Sequence, residues 1–227
     1  GFDEFFGFLG GAHDYFHERD EHYGWLLRGS QPVKLEGYLT DAFGQEASRF
    51  IERHRSQPFF LWLAFNAVHA PAAASEEMLR PLQGIADPQR RIYAAMTMRM
   101  DAAIGRVLSK LREHHLERDT LVAFLSDNGG PVKHGPGAIG ASNAPLRGEK
   151  IELLEGGVRV PFLLHWPARM TSGGVCSAPV ISLDLYATAL HAAEADTGLL
   201  AKAEGINLLP ALTGEIPQAA ERALYWR

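Results

Sequence analysis

Cysteine is almost absent from this sequence. The 227 residues include one, Cys176, so an internal disulfide is impossible. The surrounding stretch "SGGVCSAP" contains no second cysteine and no histidine. We therefore expect Cys176 to be a structural or surface thiol rather than a nucleophile or a metal ligand.

Long apolar runs and an excess of positive charge are missing as well. No run approaches the roughly 20 apolar residues that a membrane-spanning helix requires, which predicts no membrane span in this segment. Lys and Arg number 22 against 27 Asp and Glu, for a formal net charge of −5. Without a basic stripe, this balance argues against nucleic acid as the main partner. Oligomeric state has no signal in the sequence.

The two ends of the chain resemble the middle of a domain. The sequence starts at Gly1 with "GFDEFFGFLGG" and finishes on the apolar-aromatic "ALYWR". We expect a segment of a longer protein, with any signal peptide outside it.

The spacing of apolar residues predicts alternating helices and strands. Stripes at intervals of three and four indicate helices, and short continuous apolar runs indicate strands buried on both faces. This alternation predicts an α/β domain with a central, largely parallel (mixed) sheet flanked by helices. Residues 1–36 are predicted to be loop with short elements. The predicted helices are 40–57, 87–115 and 182–195, and the predicted strands are 58–69, 120–127 and 160–167.

Polar side chains follow two of the predicted strands. His69 follows the first, and Asp127 and Asn128 follow the second, ahead of two glycines. Functional groups of parallel sheets gather at the carboxyl ends of strands. Carboxylate and carboxamide oxygens suit Ca²⁺ or Mg²⁺. Taken singly, "DNGG" is also ordinary turn chemistry and His69 an ordinary strand-end histidine.

Further candidates lie in the long segment after Asn128. A lysine such as Lys150, beside a cation and a histidine, would complete a site for a doubly charged tetrahedral anion, although most lysines are simply solvated charges. The residues predicted to rim the pocket are His13, His17, His22, Lys133, His134 and Asn143. Of these, His134 and Asn143 lie between the two site motifs and are the preferred candidates for substrate binding. Glu155 and Arg159 are predicted to form a buried or half-buried pair that holds the Gly156–Gly157 turn.

Seven stretches, spread over nearly the whole chain, resemble sulfatases of the alkaline-phosphatase-like superfamily and follow one another in the order found in that family. The resemblance is greatest to the type I arylsulfatases. The resemblance implies an alkaline-phosphatase-like fold and makes residues 1–227 a partial sulfatase catalytic domain. It also favours a periplasmic or secreted location. The stretches are "GFDEFFGFLGGAHDYF", "PFFLWLAFNAVHAP", "YAAMTMRMDAAIGRVLSKL", "TLVAFLSDNGG", "SNAPLRGEKIELLEGGVRVPFLLHWP", "SLDLYATAL" and "EGINLLPALTG".

The resemblance implies a role for each matching residue. Asp127 and Asn128 match two of the four protein ligands of a Ca²⁺ ion. His69 matches a histidine that contacts the sulfate and helps to protonate the leaving oxygen. Lys150 matches a lysine that bridges a sulfate oxygen and the leaving-group oxygen. The implied nucleophile is a formylglycine, made from the Cys or Ser of a C/S-x-P-S/A-R motif.

Three elements of that pattern do not occur in the sequence: the nucleophile motif, the adjacent Asp pair that supplies the other metal ligands, and a "GKWHLG"-like segment. We therefore expect this segment to be inactive alone and the parent enzyme to hydrolyse a sulfate ester, either an aryl sulfate or a sulfated carbohydrate. The alternatives are a phosphonate or phosphate monoester hydrolase of the same superfamily and a non-catalytic, sulfatase-like binding domain.

Overall fold

The computed structural model describes residues 1–132, 139–214 and 222–226. The chain divides into two compact units. The first is Gly1–Leu116 with Gly130–Pro145, and the second is Glu117–Gly129 with Leu146–Arg227. In the described part of the chain, no helix combines the length and the apolar character needed to cross a membrane.

The first unit begins with very short antiparallel strands, as predicted for residues 1–36. One sheet has three strands in the order β1–β4–β5, and a separate hairpin pairs β2 with β3. Each strand has only two residues, because the segment lacks the alternating pattern of a longer strand. The strands are β1 (Phe6–Gly7), β2 (Arg19–Asp20), β3 (Gly24–Trp25), β4 (Leu27–Arg28) and β5 (Gln31–Pro32).

Two long helices form the body of the first unit and confirm the first two predicted helices. They are α1 (Leu39–His54) and α3 (Pro88–Glu113), with the one-turn α2 (Glu76–Leu79) between them. α3 begins where the sequence indicates, because the Asp87 carboxylate accepts the Arg90 N–H at 2.7 Å. The helices pack on a core that combines aromatic and aliphatic side chains: Tyr15, Leu26, Tyr38, Leu39, Phe43 and Met96.

The predicted strand over residues 58–69 is wrong. No residue of this run joins a strand ladder in the described part of the chain. Phe60 and Trp62 are 60% and 62% exposed, which a strand buried on both faces would not allow. An apolar run indicates burial, but a strand also requires a neighbour that pairs with it.

The second unit contains the other two predicted strands, shorter than expected and antiparallel. β6 (Val122–Leu125) pairs with β7 (Phe162–His165), with Val122 opposite His165. Every ladder among the described residues is antiparallel, so the predicted largely parallel pairing is not what they form. Parallel neighbours need a crossover, usually a helix, and the described connection between β6 and β7 contains only the one-turn α4 (Glu155–Val158).

The third predicted helix is confirmed as α5 (Ser182–Ala192), followed by α6 (Thr197–Leu200) and α7 (Leu209–Leu212). Its first turn is held by Asp184, whose side chain is fully buried. The carboxylate accepts the N–H groups of Ile181 at 2.9 Å and Ile206 at 3.0 Å, and it also pairs with Arg222. Cys176 is an exposed free thiol, as predicted.

Candidate active site

The turn after β6 places Asp127 and Asn128 at the end of the strand. The Ser126 hydroxyl donates to the Asn128 carbonyl at 2.9 Å, and the Asn128 N–H donates to the Asp127 carboxylate at 3.0 Å. The Asn128 amide nitrogen donates to the Gly129 carbonyl at 3.0 Å. Because that bond uses the nitrogen, Oδ1 is the atom of Asn128 suited to a cation. Asp127 is exposed, so its carboxylate can meet one as well.

Glycine makes this turn pack directly on a second turn of the same unit. The Gly129 N–H donates to the Gly157 carbonyl at 2.9 Å. A Cβ on Gly129 would lie 1.7 Å from the Gly156 carbonyl oxygen, a separation that no real side chain can occupy. The two backbones therefore approach at a distance that only glycine allows. This contact explains the glycine at 129, whereas Gly156 and Gly157 are required by close approaches to the Gly148 and Glu152 carbonyls.

Lys150 lies in the segment that this contact anchors. The Gly156 N–H donates to the Arg147 carbonyl at 2.8 Å, and the Glu152 N–H donates to the Glu149 carbonyl at 2.9 Å, which closes a tight turn around Lys150. Lys150 itself is half-buried. Ile151 follows at φ 70°, a conformation that a β-branched residue rarely adopts, and it is 94% exposed.

The predicted pair of Glu155 and Arg159 forms, with Nη1 of the arginine 3.1 Å from the carboxylate. The prediction that it is buried is wrong, because the arginine and glutamate side chains are 71% and 61% exposed. One turn of helix places residues four apart on the same outer face. The Gly156–Gly157 turn is held by its backbone bonds instead.

In the first unit, His69 ends a turn that begins at Asn66. Its N–H donates to the Asn66 carbonyl at 2.7 Å. Its own Nδ1 lies 2.7 Å from the Ala70 carbonyl oxygen. A carbonyl can only accept, so Nδ1 is the donor in this contact. The ring is exposed, as a residue that meets a substrate must be.

Two residues around this turn, Tyr15 and Asn66, have no counterpart among the candidates named from the sequence. The Tyr15 hydroxyl lies 2.7 Å from the Asn66 carbonyl and 2.9 Å from that of His69. The Asn66 amide donates to the His13 carbonyl at 3.4 Å. His13 is fully buried, so the prediction that it rims the pocket is wrong. Its Nε2 has no partner among the described residues. The only signal for Tyr15 in the sequence is the aromatic and histidine content of "GAHDYF".

Asn143 has a defined role in the first unit. Its side chain accepts the Gly130 N–H at 3.0 Å and donates to the Gly130 carbonyl at 2.8 Å. It thereby fastens both polar groups of the residue next to the "DNG" turn. Its contact with a substrate stays a prediction, and Lys133 and His134 lie outside the described residues.

The structure therefore joins the segments that carry Asp127, Asn128 and Lys150 in the second unit, whereas His69 and Asn143 belong to the first. Two hard oxygen donors fit part of a Ca²⁺ or Mg²⁺ shell. Within the described residues, no three His, Cys, Asp or Glu side chains cluster as a metal site. The donor chemistry fits the ion that the resemblance implies, as one part of its ligand set.

An α/β chain with oxygen donors and a lysine on two joined turns has the features of a site for an anionic ester. A family model described as Sulfatase matches residues 1–195. This chain belongs to the sulfatase family.

The relatives that it resembles agree with that assignment. Steryl-sulfatase of Mus musculus is 36% identical over 193 residues, covering 83% of this chain and 30% of that protein. N-acetylgalactosamine-6-sulfatase of Homo sapiens is 37% identical over 185 residues, covering 80% of this chain and 34% of that protein. The chain thus spans about a third of the length of these curated relatives.

Solved structures confirm the α/β, alkaline-phosphatase-like fold class. The crystal structure of Ps i-CgsB matches with a TM-score of 0.87 and 35% identity, over 94% of this chain and 50% of that one. The same protein in complex with k-i-k-neocarrahexaose matches with a TM-score of 0.85 over 93% of this chain and 50% of that one. The chain therefore corresponds to about half of that structure.

Proposed function

We propose that the full-length protein to which this chain belongs hydrolyses sulfate esters. Membership of the sulfatase family supports this activity. The observation that carries it is the backbone bond between Gly129 and Gly157, which ties the Asp127–Asn128 turn to the segment that carries Lys150. Drift in a non-catalytic domain would have no reason to retain both the reactive side chains and this contact.

Lys150 and His69 would act on the ester itself. The ammonium of Lys150 would bind a sulfate oxygen and the leaving-group oxygen and so offset the charge that develops there. As the bond between sulfur and the leaving oxygen breaks, the proton on Nε2 of His69 would pass to that oxygen and release it as an alcohol. The contact of Nδ1 with the Ala70 carbonyl is compatible with this role, because it engages the other ring nitrogen.

Asp127 and Asn128 would hold one side of a Ca²⁺ ion, or of Mg²⁺, through the carboxylate and Oδ1 of the amide. The bound cation would supply positive charge that offsets the negative charge of the sulfate oxygens at the site. The resemblance implies a formylglycine as the nucleophile, and its sequence motif does not occur in these residues. We propose accordingly that this segment is inactive alone.

A sulfated carbohydrate is the substrate class that we propose from the similar proteins. The loop beside Tyr15 lines an open depression of about 550 Å³ with seven polar residues between Asp14 and His22. Four of these residues are acidic, so the lining suits the hydroxyl groups of a sugar rather than its sulfate. Two similar proteins point the same way: one is an N-acetylgalactosamine-6-sulfatase, and the other was solved with a neocarrahexaose.

The test compares esters that differ first in the transferred group and then in the leaving group. The full-length protein is assayed with 4-nitrophenyl sulfate and 4-nitrophenyl phosphate, and then with a sulfated oligosaccharide and a steroid sulfate. We expect kcat/KM to favour sulfate over phosphate by at least about 100-fold, equivalent to ~2.7 kcal/mol. A preference for phosphate would instead identify a phosphate monoester hydrolase, and turnover of neither ester would identify a binding domain. Faster release from the steroid would overturn the substrate class alone.

A further inference from the structure

We infer that Tyr15 is a positioning residue for His69, a role that rests on the proposed function of His69 as proton donor. The hydroxyl group of Tyr15 lies 2.7 Å from the Asn66 carbonyl and 2.9 Å from the His69 carbonyl. The N–H of His69 donates to the same Asn66 carbonyl. One hydroxyl therefore bridges the two ends of the turn on which His69 stands.

Burial makes this hydroxyl a dependable donor. Tyr15 is fully buried, and burial together with the neighbouring Tyr38 raises its pKa well above the usual range. It therefore keeps its proton at any pH at which the enzyme works. Both of its partners are carbonyl oxygens, which can only accept, so the direction of the bond is fixed.

The ring of Tyr15 is itself held in place. It stacks on Tyr38 with centroids 5.3 Å apart and planes 17° apart, inside the core beneath α1 and α3. The Tyr38 hydroxyl donates to the Ala73 carbonyl at 3.0 Å, four residues beyond His69. The two tyrosines are thus alike in burial and in the kind of bond they make, but only Tyr15 bonds the turn of His69.

The ring of His69 is exposed, and the Tyr15 hydroxyl bonds the backbone that carries it. Its Nδ1 contacts the carbonyl of its own neighbour, Ala70, which moves with the turn. Without the Tyr15 hydroxyl, the carbonyls of Asn66 and His69 lose a buried donor and the turn relaxes. A shift of about 1 Å in a catalytic group can slow a reaction roughly 100-fold.

The test uses the dependence on the leaving group, which a merely structural loss would not change. Tyr15→Phe and Tyr38→Phe are made in the full-length protein, and sulfate release is measured from a sulfated sugar and from 4-nitrophenyl sulfate. A sugar alkoxide needs a proton to leave, whereas 4-nitrophenolate needs little help. For Tyr15→Phe we expect kcat on the sugar sulfate to fall about 10–100-fold, KM to change less than about threefold and the aryl rate to fall less than about threefold.

Tyr38→Phe is the matched control and should slow both substrates by less than about threefold, since its bond is to Ala73. The ratio of the two rates on one preparation does not depend on the folded fraction, so it remains informative if Tyr15→Phe is destabilised. An unchanged ratio in Tyr15→Phe, or an equal change in Tyr38→Phe, overturns the inference.

His69→Ala separates this inference from the proposed function. If it shows the selective loss on the sugar sulfate and Tyr15→Phe does not, His69 keeps its role and the positioning role of Tyr15 is wrong. If His69→Ala leaves both rates unchanged, the proton-donor role itself fails, and the inference fails with it.

Discussion

The two units present their reactive residues on turns that are built in opposite ways. In the first unit, the turn of His69 is held from the core by a side chain, the Tyr15 hydroxyl. In the second unit, the turns of Asp127, Asn128 and Lys150 are held by backbone groups that meet where side chains are absent, at Gly129 and Gly157. The first turn is therefore sensitive to removing an atom, and the second to adding one.

This difference explains the composition of the two segments. A side-chain anchor needs a rigid group in a packed core, and the stretch around Tyr15 is rich in aromatics. A backbone anchor needs residues without Cβ atoms, and the stretches around Gly129 and Gly157 are rich in glycine. Each segment has the residues that its kind of anchor requires.

Adding one methyl group to the second unit should have the largest effect. In Gly129→Ala the new Cβ would lie 1.7 Å from the Gly156 oxygen, so the two turns must separate. We expect the free energy of unfolding to fall by at least about 3 kcal/mol and sulfate release to be lost. Thermal denaturation and a sulfate-release assay of the full-length protein check this.

Gly174→Ala is the control for that substitution, because nothing lies within 4 Å of the point where its Cβ would stand and its φ is outside the left-handed region. It should change neither stability nor activity. If the two alanine variants behave alike, the close contact between the turns is not what holds Lys150 in place.

The second unit also has a side-chain anchor, Asp184, away from the turn of Lys150. Burial raises the pKa of Asp184, but hydrogen bonds from Arg222, Ile181 and Ile206 outweigh burial and lower it below its usual value. Asp184→Asn weakens these bonds, so we expect a loss of about 2–3 kcal/mol in the free energy of unfolding. Because the bonds of Asp184 go to Ile181, Ile206 and Arg222 and not to the turn of Lys150, kcat at a temperature where the variant is folded should stay within about twofold.

The sign of the pH dependence follows from the lowered pKa. The ionised carboxylate contributes its full stability above the usual aspartate pKa of about 3.9, and this contribution is lost as pH falls through the lower pKa of the folded state. The difference in unfolding free energy between the wild type and Asp184→Asn should therefore shrink below about pH 4. A difference that grows towards acid pH would contradict the assigned charge state.

Asn143→Ala tests a side-chain anchor beside the glycines. It removes the bonds at 3.0 and 2.8 Å to the N–H and carbonyl of Gly130. We expect a loss of about 1–2 kcal/mol in unfolding free energy, measured by denaturant titration. Asn143→Asp keeps the acceptor and should lose less. No loss in either variant would show that Gly130 does not need this clamp.

Ile151→Gly should have the smallest effect, and a favourable one. Ile151 has a positive φ of 70° and is 94% exposed, so its side chain adds strain and little burial. Glycine should raise the free energy of unfolding by about 0.5–1 kcal/mol, as thermal denaturation would show. Ile151→Val keeps the β-branch and should change nothing. A destabilised glycine variant would mean that the exposed side chain has a contact worth keeping.

Local signals in the sequence predicted the helices well. The stripes of α1, α3 and α5 repeat within one element, and Asp87 marks the start of α3. The strands were harder, because a ladder depends on a partner that periodicity does not identify. The strand predicted over 58–69 is therefore wrong. β6 and β7 pair antiparallel, whereas the predicted sheet was largely parallel.

The residues of the candidate site also differ in how readily the sequence reveals them. Asp127, Asn128 and Lys150 stand out by their glycine-rich surroundings, and the contact of Gly129 with Gly157 supplies the reason for those glycines. Tyr15 does not stand out, because its partner His69 is 54 residues away and an aromatic in "DYF" is typical of a core. Only the fold shows that this core residue also holds a reactive one.

The measurement that tests the central claim most directly is sulfate release by the full-length protein with one residue changed in each unit. His69→Ala and Lys150→Ala are compared with His165→Ala and Lys202→Ala, which change the same residue types elsewhere. We predict that kcat/KM on a sulfated sugar falls at least about 100-fold in each of the first two variants and less than about twofold in the controls. Equal rates in all four variants would contradict the proposed roles of His69 and Lys150 in sulfate release.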